Sequence, residues 1–131
     1  MRISDSMLSQ LDLIDDFVAS LLLKILKMNV DKSSLFNIKL ALHEAIINAV
    51  KHGNQSRPDL SVQVDITREE NQLTIQVTDH GEGFDYQNLP DPITTENLEK
   101  LNGRGLFLIQ NAMDRVQFSG QGRTIKMFKF L

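Results

Sequence analysis

The chain has 131 residues, with 14 lysines and arginines against 17 aspartates and glutamates, a net charge of −3 with histidine neutral, and neither cysteine nor tryptophan. Domains run ~100–200 residues, so residues 1–131 are expected to form a single domain, long enough to build a core without metal or disulfide staples. The acidic balance and the lack of a basic run exclude a binder of nucleic-acid backbone, the absence of cysteine excludes thiolate catalysis and disulfide scaffolds, and no apolar run approaches the ~20 residues that span a bilayer. A cytoplasmic protein with neither nucleic acid nor membrane as partner is the expectation.

Leu8, Leu11, Ile14, Val18, Leu21, Leu22 and Ile25 recur at three- and four-residue steps, with Asp12, Asp15, Asp16 and Ser20 between them, which predicts an amphipathic helix near 7–28. Asp31, Ser33 and Ser34 then offer N-cap oxygens, and Leu35, Ile38, Leu42, Ala45, Ile46 and Ala49 carry a second helix to a stop at Gly53. Beyond the turn residues 55–59, Leu60, Val62, Val64 and Ile66 alternate with polar residues, as do Leu73, Ile75 and Val77, so 60–79 read as a β-hairpin with a moderately long turn at 69–72.

Periodicity disappears from His80 to Asn102, which reads as a long functional loop. Gly103 and Gly105 precede a third helix that runs to about Asp114, and Val116, Phe118, Ile125, Met127, Phe128 and Phe130 give two closing strands around Gly120-Gln121-Gly122. The order α-α-β-β-loop-α-β-β predicts an α+β domain, with a mixed, mostly antiparallel sheet and helices on one of its faces.

Three places can carry chemistry. On the second helix Asn48 lies within about 40° of Glu44, given a turn of about 100° per residue, while Leu35, Leu42, Ala45 and Ala49 lie roughly opposite. A carboxylate there can take a proton from a hydroxyl, and a carboxamide oxygen suits magnesium; the same spacing also serves a solvated polar stripe. Asp79-His80-Gly81-Glu82-Gly83-Phe84 ends a strand on an aspartate and runs into paired glycines, fitting either a capped turn or a carboxylate that accepts from an exocyclic amine such as that of adenine. Gly103-Arg104-Gly105 opens a helix and fits equally a flexible loop before it or an anion site made by the helix's free amides and dipole.

Taken in order, ExxxN on a helix, DxGxGF after a strand and GxGL before a helix resemble the N, G1 and G2 boxes of the GHKL ATPase superfamily over nearly the whole chain. The resemblance implies the Bergerat ATP-binding fold, an α/β sandwich with an ATP lid, here about 85–102. The stretches Ala41 to Gly53 and Gly103 to Ile109, with Met113-Asp114-Arg115-Val116, look most like bacterial anti-sigma factor serine/threonine kinases. By that likeness Glu44 is the general base, Asn48 ligates Mg²⁺, Asp79 binds the adenine amine, and Gly81, Gly83, Gly103 and Gly105 supply backbone to ATP.

Thr124 matches a family position near adenine, Lys51 a basic position that histidine kinases use near phosphate, and Arg104 is either an exposed arginine or one that reaches the phosphates through the lid hinge. The implied partners are a small antagonist protein of the anti-sigma factor, a sigma factor, or both, with room for a homodimer. The family's usual N-terminal strand would have to come from Arg2-Ile3-Ser4, which is too short to predict one. Two alternatives stand beside the serine/threonine kinase: the catalytic domain of a histidine kinase, and a non-catalytic, nucleotide-gated binding module. His43 sits inside the ATP-site helix, where it suits packing or surface better than phosphate acceptance.

Overall fold

The computed structural model describes residues 1–81 and 105–131. Among the described residues five strands form one sheet in the order β1-β2-β3-β5-β4, where β1 is Arg2–Leu8, β2 is Ser61–Glu69, β3 is Gln72–Thr78, β4 is Arg115–Ser119 and β5 is Thr124–Phe130. Every pairing among the described residues is antiparallel. Helices α1 (Ile14–Leu26), α2 (Lys32–Asn48) and α3 (Gly105–Ala112) supply the other layer. Among the described residues no helix is long and apolar enough to cross a membrane.

The period-two pattern of the hairpin places Val62, Val64 and Ile66 beside Leu73, Ile75 and Val77 on one face, with Met127 of β5 opposite Ile75. All of these are buried against Ile14, Val18, Leu21 and Ile25 of α1 and Ile38, Ala41, Leu42, Ala45 and Ile46 of α2. Leu42 is fully buried, so Leu42→Ala is expected to cost about 2–5 kcal/mol. The check is a lowered midpoint of urea unfolding with the slope unchanged.

Asp31 caps α2 as its sequence position predicts, accepting from the Ser34 N–H at 3.0 Å. Those bonds, the Ser33 hydroxyl included, hold its carboxyl below the usual range. The hairpin turn is tighter than expected: Glu69 pairs with Gln72, and Glu70 takes φ +50°.

The N-terminus departs most from expectation. Instead of a helix from residue 7, Arg2–Leu8 pairs with Ser61–Thr67 of β2, and α1 begins at Ile14 after a short 3₁₀ turn at Leu11–Leu13. The reason lies in Asp5. It occupies the strand position opposite Val64, on the core-facing side between Ile3 and Met7, where an apolar residue would have completed the alternation. Lys24 of α1 donates to its carboxylate at 2.9 Å, which holds the Asp5 carboxyl below its usual range. Arg68 ties down the turn that follows α1 by donating to the Met28 and Asn29 carbonyls at 2.7 Å each.

Candidate nucleotide site

Helix α2 continues beyond Asn48 as one wider turn of π-helix, Ala49–Gly53, in which the Asn54 amide donates to the Ala49 carbonyl at 2.8 Å. Such turns reset the direction of a helix and recur at functional sites. The result is a single rod with functional groups at two places: Glu44 and Asn48 one turn apart on the same face, and Gly53 at the end.

The first place meets α3. A Cβ placed on Gly105 would lie 3.2 Å from both Asn48 Nδ2 and Oδ1 and 3.2 Å from Glu44 Oε2, so the side chains of Glu44 and Asn48 converge on the residue that opens α3. A larger residue there would press on both. Glu44 and Asn48 are half-buried, while Leu42, Ala45 and Ala49 on the other side are buried, the division expected from the helical wheel.

The second place meets the end of β3. Asp79 is 8% exposed, and its carboxylate packs directly on the Cα of Gly53, where no Cβ would fit. Burial pushes its pKa up, opposed by the Gly81 N–H that donates to Oδ1 at 2.8 Å and by the charges of Arg123 and His80. The backbone around it is held on both sides. The Asp79 N–H donates to the Arg123 carbonyl at 2.9 Å, and Arg123 Nε donates to the Gly81 carbonyl at 2.5 Å.

Thr124 stands on the rung opposite Thr78, next to Asp79 in the ladder, with the two threonine hydroxyls 3.2 Å apart. Lys51 is exposed on the π turn between the two places. His43 is half-buried on α2, its Nε2 3.2 Å from Asp15 Oδ1 of α1, a packing role of the kind expected for it. Gly83, Gly103, Arg104 and the 85–102 segment expected to be a lid lie outside the described residues.

Sequence reasoning missed Asn54 and Arg123, and it saw Gly53 only as a helix stop. Asn54 carried one usable signal: a carboxamide directly after a helix-ending glycine, in a chain turning back toward a strand, has four hydrogen-bonding positions that burial obliges it to fill.

Residues 6–129 match the family described as the histidine kinase-like ATPase domain. The chain belongs to that family. This bears out the resemblance read from the three boxes, and the α+β sheet-and-helix architecture agrees with it. Among curated proteins the chain is similar to "Serine-protein kinase RsbW" of Staphylococcus aureus (strain MRSA252), with 35% identity over 102 residues covering 71% of this chain and 64% of that protein. It is likewise similar to the protein of the same name from Listeria monocytogenes serotype 4a (strain HCC23), 32% identical over 102 residues, covering 72% of this chain and 65% of that protein. A third, from Oceanobacillus iheyensis, is 32% identical over 112 residues, covering 80% of this chain and 71% of its own length. The chain thus spans about two thirds of the length of these relatives.

For an ATPase domain of this family the Gly53 contact has a direct consequence. Gly53→Ala is expected to cost about 1–3 kcal/mol through overpacking and to displace the Asp79 carboxylate, so that ATP affinity falls even at temperatures where the variant is folded. Calorimetric titration of the variant with ATP, beside a circular-dichroism melt, measures both; unchanged affinity would mean that the contact is not part of the site.

Proposed function

We propose that this chain is an ATP-dependent protein serine/threonine kinase of the anti-sigma type, which transfers the γ-phosphoryl group to a hydroxyl of a small antagonist protein and holds a sigma factor. The observation that supports it best is the convergence of Glu44 and Asn48 on the opening residue of α3, with Asp79 at the far end of the same rod. Gly53 lies nine positions beyond Glu44, about 13 Å along a helix at about 1.5 Å per residue, a length on the scale of an extended nucleoside triphosphate.

In this reading Asp79 accepts from the exocyclic amine of adenine, with Thr124 on the neighbouring rung and the Gly81 backbone beside the base. The triphosphate runs toward the N-terminus of α3, whose amides and dipole favour negative charge, and Lys51, Gly83, Gly103, Gly105 and Arg104 contribute backbone or charge along the way. Glu44 accepts the proton of the acceptor hydroxyl as its oxygen bonds to the γ-phosphorus and the bond to the bridging oxygen breaks, releasing ADP. The Asn48 carboxamide oxygen suits a hard cation that takes few protein ligands alongside phosphate oxygens, and Asn48, converging with Glu44 on Gly105, is the residue that would hold Mg²⁺. When bound, that ion would neutralise charge developing on the phosphates. Positioning and electrostatics supply most of such catalysis.

The test is transfer of labelled phosphate from ATP to a small protein in extract of the source cell. Acid-stable label on serine or threonine supports the kinase. Acid-labile label moves the assignment to histidine phosphorylation, and ATP binding with sigma-factor capture but no label moves it to a sequestering module.

A further inference from the structure

Asn54 is 1% exposed and joins three parts of the chain through one buried side chain. Its Nδ2 donates to Ser9 Oγ at 2.7 Å, just past β1, and to the Ser61 carbonyl at 2.9 Å, where β2 begins. Its Oδ1 accepts from the His80 backbone N–H at 2.7 Å. The orientation is forced, since exchanging O and N would turn an acceptor toward the Ser61 carbonyl and a donor toward the His80 N–H.

That last bond matters because of which peptide it holds. The His80 N–H belongs to the peptide plane that leaves Asp79, so Asn54 fixes the rotation about the Asp79 Cα–C bond. On the other side the Asp79 N–H is fixed to the Arg123 carbonyl, and one residue further the Gly81 N–H returns to the Asp79 carboxylate at 2.8 Å. β3 ends at Thr78, so beyond the Asp79 rung the ladder no longer directs the chain, and the carboxamide of Asn54 takes over. The His80 ring reinforces the anchor, its Nδ1 lying 2.8 Å from the same Ser61 carbonyl.

We propose that Asn54 is a positioning residue for base recognition: without touching the nucleotide, it aims the Asp79 carboxylate by holding the peptide that follows it, and so sets the preference for a 6-amino over a 6-oxo purine. This rests on the nucleotide-binding reading above. Ser9 is the secondary support, since it holds the carboxamide that holds the peptide.

The experiment compares ATP with inosine triphosphate, which differs in carrying an oxygen where adenine carries the amine, by calorimetric titration of the wild type, Asn54→Ala, Asn54→Asp and Ser9→Ala at temperatures where each is folded. The wild type is expected to prefer ATP by about ten- to a hundredfold, the worth of one hydrogen bond to a charged group. Asn54→Ala is expected to bring the two affinities within about threefold of each other, well under the tenfold that 1.4 kcal/mol represents. Asn54→Asp, which keeps an acceptor for the His80 N–H and loses both donors, is expected to melt lower and yet retain the preference. A merely structural role would lower stability, or both affinities in proportion, and leave the ratio alone.

An unchanged ratio in Asn54→Ala overturns the proposal. If that variant does not fold, Ser9→Ala decides, a reduced ratio supporting the proposal and an unchanged one overturning it. A wild type that binds neither nucleotide overturns the kinase reading and this inference together, whereas a wild type that discriminates while the variants discriminate equally overturns only the inference.

Discussion

Asp79→Asn is expected to abolish ATP binding while leaving the ligand-free fold as stable as the native one, or more so. The two effects share one cause. Asp79 is buried against Gly53 with the Gly81 N–H as its backbone donor, and burial raises its pKa, so the folded chain carries a charge that the surrounding contacts do not fully compensate. Below the ordinary carboxylate pKa the side chain is protonated whether folded or unfolded, and this cost is absent. As pH rises through the raised native pKa, the folded state ionises a carboxyl in a poorer environment than water offers the unfolded chain, and that part of the stability is lost. Asparagine is neutral throughout, so the variant's gain in melting temperature is expected near neutral pH and should vanish in acid.

Binding runs the other way. A carboxylate that accepts from an amine is replaced by a carboxamide that presents donors to it, which removes a charge-assisted bond and leaves a buried clash of donors. For the same reason ATP affinity of the native protein should begin to fall on acidification above the ordinary carboxylate range, where Asp79 takes up its proton. Melting curves across pH, set beside ATP titrations, separate these expectations. Native ATP affinity in Asp79→Asn would place the adenine contact elsewhere.

What the sequence made legible, and what it hid, divides by the distance between interacting groups. The β2–β3 hairpin was readable because its alternation is local and uninterrupted, and the α2 cap at Asp31 because capping acts within three residues. β1 was hidden by a single residue. Asp5 breaks the apolar alternation, and its compensating cation, Lys24, lies 19 residues away on another element, so nothing nearby announced that a charge on the inner face would be satisfied.

The candidate site shows the same division. Glu44 and Asn48 could be placed on one face by helical arithmetic alone, and the resemblance of three ordered motifs to one family implied that they share a nucleotide site with Gly105; their convergence on it is a structural finding. Asn54 could not be read in this way, because its partners lie 45, 26 and 7 residues away and two of them are backbone groups, which leave no mark in the identity of a residue. The contact of Gly53 with Asp79 was masked differently. A glycine that ends a helix already has a sufficient local explanation, and its second role, giving a carboxylate room, becomes visible only when β3 is folded against the end of α2.

The same geometry sets the expectation for Glu44→Ala: ATP affinity within a few-fold of native, and phosphoryl transfer slower by the ~10²–10⁴ that a positioned general base contributes. The proposed adenine contacts lie at the other end of the rod, about 13 Å away by helical rise, so removing a carboxylate beside Gly105 leaves the groups proposed to bind the base where they are. It also removes a negative charge from the end where the triphosphate would lie, which opposes any loss of affinity. Chemistry has no such reserve. The Asn48 carboxamide, which converges with Glu44 on Gly105, has no basic oxygen to take a proton. Partner capture should survive, since α2 keeps its buried face of Ile38, Ala41, Leu42, Ala45 and Ile46. Single-turnover transfer from labelled ATP to the acceptor, compared between the native protein and the variant at saturating nucleotide, reads the chemical step apart from binding. Transfer at the native rate would remove Glu44 from the proton's path and leave its place beside Asn48 as that of an electrostatic neighbour.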